Sequence, residues 1–431
     1  MRGKIYENGW WYDHLRYITD AYIKASYRHL KYEGIEKIPS DGAVIYAPNH
    51  CCALMDPLAV LVLKHEPVVF VARADIFAKP AIARILNFLK IMPINRIRDG
   101  IRSVTHTAET IDKSIEVLNN GVKFCILSEG THRPMHSLMH IGKGIARVAE
   151  GAAGTMQEGK PVYIVPVGLE YGDYFRFRTT LYARIGDPVN VTELLASMKE
   201  RHEKERMDAI REAVREGLAA NIVCIRDDEE YDAVWELAKI SSGMIPPSRL
   251  KERFLANRAA VERIERLREE SPEGAGTLIA RVRTFTQRRR EAGISLESLG
   301  RGKPLWRALG SSLAAIVALP FFLVAAIASL PVWLPAEIMV KSLEDKAFKN
   351  SFRCGIIIAG WTLMLPVWAA VLFCTLKWYL ALAALVVLLP SPFVVYDCFS
   401  LARMVRSNWK TLFRKETRRE YEELKKELEK I

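Results

Sequence analysis

The sequence predicts an α/β domain built on one mixed sheet flanked by helices, followed by a helical region and a carboxyl-terminal transmembrane helical region. Three observations carry this. Over roughly the first 190 residues, short β-rich runs alternate with helical stretches, the pattern of a central sheet covered by helices. From Leu194 to about Arg290 the chain is dense in Arg, Lys and Glu at helical periodicity, with few β-branched runs. Beyond that, 308–336, 354–376 and 378–396 contain no Asp, Glu, Lys or Arg, and each is near or above the ~20 residues that span a bilayer. The expected organisation is an amino-terminal amphipathic helix (1–30), the α/β domain (31–192), a charged helical region (193–303), a membrane region (304–402) and a basic carboxyl-terminal helix (403–431).

Composition narrows the classes. Half of the 431 residues are hydrophobic and a quarter are charged, which excludes a disordered chain or a collagen-like repeat. The seven cysteines include no C-x-x-C pair, so neither a disulfide framework nor a zinc ribbon is expected, no metal is assigned, and a reducing compartment fits best. The formal net charge of +12 suits an anionic partner. Nucleic acid has little support, because Arg281, Arg283, Arg288, Arg289 and Arg290 stand shortly before a hydrophobic span, where basic residues act as topology signals or lipid contacts. The first residues contain no apolar signal-peptide core.

In chain order, Trp11, Leu15, Ile18, Tyr22 and Ala25 recur at helical spacing between Trp10 and Leu30. Such a helix either lies in a membrane interface, where Trp and Tyr are favoured, or packs on the core. Strands are expected at 43–47, 68–72, 122–127 and 162–167, and helices near 57–64, 80–89 and 143–149. The domain closes at the turn 185–189, and Asn190 to Glu193 is a helix start. Gly274-Ala-Gly276 and Gly300-Arg-Gly302 read as breaks in the charged helical region.

The first candidate for chemistry is Pro48-Asn-His-Cys-Cys-Ala-Leu-Met-Asp-Pro57, directly after an expected strand. A histidine and a carboxylate can act as a base and its orienting partner. Six positions on a regular helix put His50 and Asp56 about 120° apart, so they meet only if the chain turns between them. Adjacent Cys51 and Cys52 have no second ligand cluster, which disfavours a metal or thiol role. The second candidate is Leu127-Ser-Glu-Gly-Thr-His-Arg133. Gly130 permits close backbone approach, Thr131 can donate a hydrogen bond, and Arg133 offers a fork suited to phosphate. Glu129 can anchor a nearby cation, and Ser128 is not in a G-x-S-x-G elbow. Ile94-Asn-Arg96 and Val165-Pro-Val167 each follow or end a strand.

Taken together these blocks resemble the glycerophospholipid acyltransferase family, the PlsC-like enzymes that acylate glycerol 3-phosphate and lysophosphatidic acid. The N-H-x4-D block is similar to Asn49, His50 and Asp56, the arginine block to Ile94-Asn95-Arg96, the E-G-T block to Glu129-Gly130-Thr131, and the proline block to Val165-Pro166-Val167. The match covers about residues 30 to 190. A looser similarity through Asp227 to Tyr231, Val234 to Leu237 and the later spans points to the longer, fungal-type glycerol-3-phosphate or dihydroxyacetone-phosphate branch. Five residues, not four, separate His50 from Asp56, and His132 with Arg133 stands where the family has one arginine.

The resemblance implies an acyltransferase-like fold and an O-acyltransferase with His50 as general base and Asp56 orienting it. It implies Arg96, Gly130, Thr131 and Arg133 as holders of the acceptor phosphate with Glu129 supporting them, and counts Asn49, His132 and Lys143 among the substrate-binding residues, His132 or Lys143 being able to take the place of Arg133. Acyl-CoA or acyl-carrier protein is the donor substrate, no cofactor is required, and membrane phospholipids are partners. Two alternatives stay open: O-acylation of a monoacylated amino-acid lipid, and a non-catalytic lipid-binding membrane protein of the same fold.

The charges also predict topology. Three full crossings would put the basic flank 281–307 and the basic tail from Arg403 to Lys430 on opposite faces, against the positive-inside tendency. Pro320 divides 308–336, leaving an arm of about 12 residues, or roughly 18 Å of helix. A re-entrant hairpin there, followed by two spans, keeps every large basic cluster on the cytoplasmic face with His50.

Overall fold

The computed structural model describes residues 4–7, 9–94, 103–157 and 159–431, excluding the side chains of 103–107. The chain forms two compact units, Met1–Lys24, Leu30–Tyr174 and Leu181–Ile222 in the first, and Ala25–His29, Phe175–Thr180 and Val223–Ile431 in the second.

The first unit is the α/β domain. Its elements are α1 (Trp10–Ala25), β1 (His29–Glu33), β2 (Ala43–Pro48), α2 (Met55–Leu61), β3 (Val68–Arg73), α3 (Pro80–Phe88), β4 (Ile91–Ile94), α4 (Ser103–Asn119), β5 (Lys123–Cys125), α5 (Lys143–Thr155), β6 (Val162–Tyr171), β7 (Thr180–Ile185), β8 (Val189–Asn190), α6 (Val191–Ser197) and α7 (Glu203–Ala219). The eight strands form one mixed sheet in the order β1-β7-β6-β2-β5-β3-β4, with β8 also paired to β6. β2, β3, β4, β5 and the first part of β6 run parallel, and β7 and β8 pair antiparallel with β6.

All six residues of β2 are buried, and its near-continuous apolar run AVIYAP suits a strand covered on both faces. Ile45, Phe124 and Ile164 of neighbouring strands meet Ile145 of α5 and Ile210 of α7 in the core. Each such buried side chain contributes about 1.5–3 kcal/mol. Pro166 sits inside β6 despite lacking an N–H. Its carbonyl accepts from Gly186 N at 2.8 Å, so its nitrogen faces the gap between β7 and β8, where no ladder donor is needed.

The expected strands and helices are present with shifted ends: β6 runs on to Tyr171, and β5 is only three residues long. The helix expected over 10–30 stops at Ala25, because Leu30 lies in β1. The 17-residue α4 and strands β1 and β7 were not anticipated. Asn190 caps α6 as expected, its side chain accepting from Glu193 N.

The orientation of α1 is the informative surprise. Its inward stripe is Tyr12, Arg16, Asp20 and Ile23, while Trp11, Leu15 and Ile18 are exposed. The buried charges are satisfied: Arg16 donates to Asp20 at 3.0 Å and to the carbonyls of Leu61 and Glu66 at 2.9 and 3.0 Å, and His65 pairs with Asp20 at 2.9 Å. Polar groups at the end of α2 therefore hold α1 by its polar face, and its apolar face does not pack on the core. α3 likewise has no buried residue and exposes Ile82, Ile85 and Phe88.

The second unit is helical throughout its main stretch: α8 (Tyr231–Ser242), α9 (Leu250–Glu270), α10 (Pro272–Ala292), α11 (Leu296–Gly300), α12 (Pro304–Ala328), α13 (Leu330–Lys341), α14 (Phe348–Thr375), α15 (Trp378–Leu388), α16 (Ser391–Phe413) and α17 (Lys415–Lys430). The break expected at Gly274-Ala-Gly276 falls instead at Ser271-Pro272, since both glycines lie inside α10. Proline is tolerated in a first turn but not mid-helix. Glu236, fully buried, joins α8 to Arg289 of α10 and also binds Lys239. α17 lays Tyr421, Leu424 and Leu428 inward. Tyr421 Oη donates to Ile240 O at 3.1 Å, and Glu420 pairs with Arg288 at 2.7 Å. The basic flank is therefore bound partly to acids of this bundle.

α12 and α14 are long and apolar enough to cross a membrane, and α15 with α16, bent by 43°, forms a further broken candidate. α12 runs through Pro320 without a break, and the chain breaks at Ser329 instead. The short arm on which the re-entrant hairpin rested is thus part of a 25-residue helix, roughly 38 Å long. Prolines persist in such helices when neighbouring groups satisfy the freed carbonyls.

Candidate active site

The site lies where β2 and β5 end. The two strands are adjacent and parallel, with Ile45 opposite Phe124 and Tyr46 opposite Cys125. The loops that follow therefore leave the same edge side by side, the usual place for ligands in such sheets.

After β2 the chain makes a tight turn. Met55 N donates to Cys52 O at 2.9 Å, and Ala53 has φ 46°, a left-handed conformation rare for a residue with a Cβ. The turn brings Asp56, in the first turn of α2, back to His50, with Nδ1 and Oδ2 2.8 Å apart. Asp56 is fully buried, and the same Oδ2 accepts from the backbone N–H groups of Cys51 and Cys52 at 2.9 and 2.8 Å. Since this oxygen accepts from both backbone donors, the hydrogen of the His50 contact lies on Nδ1, and Nε2 is the ring nitrogen left facing away from Asp56. Burial, with Asp56 beside it, holds the Cys51 thiol well above its ordinary range, which makes it a poor thiolate nucleophile.

Two residues expected to bind substrate are turned to the protein. Asn49 is buried, and its Oδ1 accepts from Leu169 N at 2.7 Å while Nδ2 donates to Leu169 O at 3.2 Å. Glu129 accepts from His50 N at 2.7 Å through one oxygen and from Met139 N at 3.0 Å through the other. Burial pushes its carboxyl upward, and the two backbone donors oppose that shift. Both side chains thus position the loop that carries His50.

Gly130 has φ +69°, with nothing among the described residues within 4 Å of where a Cβ would stand. The glycine is needed for its backbone conformation rather than for space. Thr131 is exposed. The His132 ring lies 5.4 Å from the His50 ring, steeply inclined to it. Arg133 N donates to His50 O at 3.1 Å, while its guanidinium donates to Ser137 Oγ at 2.8 Å within its own loop. Lys143 is exposed at the first position of α5. Asn95 and Arg96 lie outside the described residues. One pair was not foreseen: His136 Nδ1 stands 3.0 Å from Glu170 Oε2. Thirty-four positions apart, the two residues carry no sequence signal of their meeting.

This fold and site define a histidine–carboxylate centre at the carboxyl ends of parallel strands. Residues 29–170 match the family model described as Acyltransferase, and all candidate residues from Asn49 to Lys143 fall within that span. Among solved structures, the chain is similar to the 1-acyl-sn-glycerophosphate (LPA) acyltransferase, PlsC, from Thermotoga maritima, at 20% identity over 48% of this chain and 78% of that one, with a TM-score of 0.36. No curated protein matches the chain.

Proposed function

We propose that the protein is a membrane-bound O-acyltransferase that moves an acyl chain from acyl-CoA or acyl-carrier protein to a hydroxyl of glycerol 3-phosphate or lysophosphatidic acid in phospholipid synthesis. The observation that carries this is the 2.8 Å pairing of His50 with a wholly buried Asp56 inside the matched acyltransferase span. His50 Nε2 takes the acceptor hydroxyl proton as that oxygen attacks the thioester carbonyl. The new C–O bond forms, the C–S bond breaks, and the departing thiolate takes a proton from the imidazolium. Asp56 fixes the tautomer and stabilises the imidazolium, while Asn49 and Glu129 act through the loop backbone.

For the acceptor phosphate the candidates are Gly130, the exposed Thr131 and His132, whose ring lies 5.4 Å from that of His50, and the resemblance adds Arg96 and Lys143 as further cations. Because the Arg133 guanidinium is bound to Ser137, His132 is the better candidate for the group beside the base. A histidine in place of the family's arginine also favours a second reading, O-acylation of a monoacylated amino-acid lipid, whose acceptor carries less charge. The decisive experiment is a panel. Purified protein in nanodiscs is given acyl-CoA or acyl-carrier protein with glycerol 3-phosphate, dihydroxyacetone phosphate, lysophosphatidic acid or a monoacylated amino-acid lipid. Transfer to a phosphorylated glycerol supports the first reading and places the protein within or outside the longer fungal-type branch by acceptor. Transfer to the amino-acid lipid alone supports the second, and no transfer with any pair rejects both.

Membrane lipid is the natural cover for the outward apolar faces of α1 and α3. The packing of α17 on α8 and α10 favours an even number of crossings between 304 and 413, because segments in contact lie on one side of a membrane. Lys341, Lys346, Lys349 and Arg353 favour the cytoplasmic side for the α13–α14 connection, so α14 crosses outward and α15–α16 return. Single cysteines at positions 342, 377 and 407 in a cysteine-free chain test this in intact cells with an impermeant thiol reagent. Only position 377 should react. Labelling at 342 instead makes α12 and α14 the two crossings, and labelling at 407 removes the even count.

A further inference from the structure

The strand β6 passes both loops of the site. At Leu169 its backbone is gripped from two sides by the Asn49 amide, which fixes the start of the His50 loop. At the next residue, the Glu170 carboxylate meets His136 at 3.0 Å. His136 is 4% exposed, too enclosed to meet a substrate, so it does not belong among the reacting groups. It lies in the loop that follows β5, four positions after His132 and three after Arg133. Its ring packs 5.2 Å from that of Tyr174, whose carbonyl accepts from Cys52 Sγ at 3.3 Å.

The rest of that loop is tied by backbone contacts near its two ends. Arg133 N reaches His50 O, Met139 N reaches Glu129, and Gly142 N reaches Ser128 O at 2.7 Å. Between these ties, His136–Glu170 joins a side chain of the loop to the sheet. Consecutive residues of one rigid strand thus hold the base loop and the acceptor loop.

We propose that His136 and Glu170 are positioning residues that set the distance between His50 and the acceptor-binding groups around His132 and Arg133, through the juxtaposition of the Leu169 and Glu170 anchors on β6. This rests on the acyl-transfer reading above. Loosening the pair leaves the contacts of Asp56 and Asn49 that fix the His50 loop in place, but lets the middle of the acceptor loop, between its ties at Arg133 and Met139, drift. The effect should therefore fall on acceptor binding rather than on the donor or on the chemical step.

The test uses the full chain in nanodiscs with palmitoyl-CoA and whichever of glycerol 3-phosphate and lysophosphatidic acid the wild type uses. Initial rates and thermal unfolding are measured for wild type, Glu170→Gln, His136→Ala, His136→Gln and the double variant His136→Ala/Glu170→Gln. Glu170→Gln and His136→Ala should each raise the acceptor KM about tenfold, with donor KM and kcat within about twofold. The double variant should be no worse than either single, as expected for one interaction. His136→Gln, whose amide can still donate to Glu170, should return the acceptor KM to within about threefold of wild type. An unchanged acceptor KM in Glu170→Gln, an equal rise in donor KM, or additive single effects would overturn the inference. If His136→Ala fails to fold, the nearly isosteric Glu170→Gln decides alone. A wild type inactive with every donor and acceptor of the panel above would overturn the acyl-transfer reading and this inference with it, whereas an active wild type matched by Glu170→Gln would overturn this inference only.

Discussion

The loops that follow β2 and β5 leave neighbouring parallel strands at the same edge, yet they are built to different degrees of constraint. In the first, Asp56 is wholly buried and accepts from three donors, Asn49 engages the backbone of Leu169 through both ends of its amide, and Glu129 reaches across from the second loop to accept from His50 N. In the second, the backbone is tied to His50 and Ser128, but Thr131 is exposed and His132 and Arg133 are only half-buried. The base needs a single tautomer and a single direction, and a satisfied, buried network supplies both. The acceptor side needs reach and a charge matched to its ligand, so its side chains stay near the surface. Substitutions in the first loop should therefore remove the reaction, and substitutions in the second should change which acceptor is used and how tightly.

The largest effect short of losing the base itself is expected from Asp56→Asn. The amide presents an NH2 or a carbonyl where three donors need one acceptor, and the preferred tautomer of His50 is lost. By analogy with a triad carboxylate, kcat should fall by about 10³- to 10⁴-fold. A smaller loss, with a raised acceptor KM instead, would mean that the two loops do not differ as described.

Next in size, His132→Ala should lower kcat/KM for a phosphorylated acceptor by about 10- to 150-fold, the loss of one hydrogen bond to a charged group of about 1.5–3 kcal/mol. Arg133→Ala should cost less, because its guanidinium is already bound to Ser137. Steady-state rates with varied acceptor at saturating donor check the order. If Arg133→Ala is the more damaging, the guanidinium leaves Ser137 when substrate binds and takes the phosphate itself.

The smallest effect concerns the turn that joins His50 to Asp56. Ala53 in a left-handed conformation carries about 1–2 kcal/mol of strain, while a glycine there adds about 0.4–1 kcal/mol of unfolded-state entropy. The difference favours Ala53→Gly by up to about 1.6 kcal/mol in thermal or denaturant unfolding, with catalysis retained. A clear destabilisation would mean that the Ala53 methyl, which is buried, contributes more through packing than the backbone conformation costs.

Much of this site was legible in the sequence, and the reasons for the exceptions are physical. His50 and Asp56 could be paired from residue type and the strand before them, but their six-position spacing required a turn that only Ala53 in a left-handed conformation provides, and alanine gives no warning of that. Asn49 and Glu129 entered the substrate site through the family resemblance, Glu129 as the support of its cations. Their partners are the backbone groups of Leu169, His50 and Met139, which leave no mark in side-chain identity. The same limit hid His136–Glu170. In α1 the apolar periodicity was read correctly as amphipathic, but the face that packs inward is the polar one, because Arg16 and Asp20 find carbonyls and His65 at the end of α2. Pro320 suggested a break that α12 does not have, since a helix can absorb one missing N–H when its surroundings allow.

The central claim is that His50 is the base of an acyl transfer. It is tested most directly by His50→Ala in the full chain, purified into nanodiscs beside wild type, with thermal unfolding as the check on folding and labelled acyl-CoA transfer to glycerol 3-phosphate or lysophosphatidic acid as the readout. The account predicts a folded variant whose turnover falls by at least the 10²- to 10⁴-fold that general-base catalysis contributes. A folded His50→Ala protein that still transfers acyl chains within about threefold of wild type would contradict it.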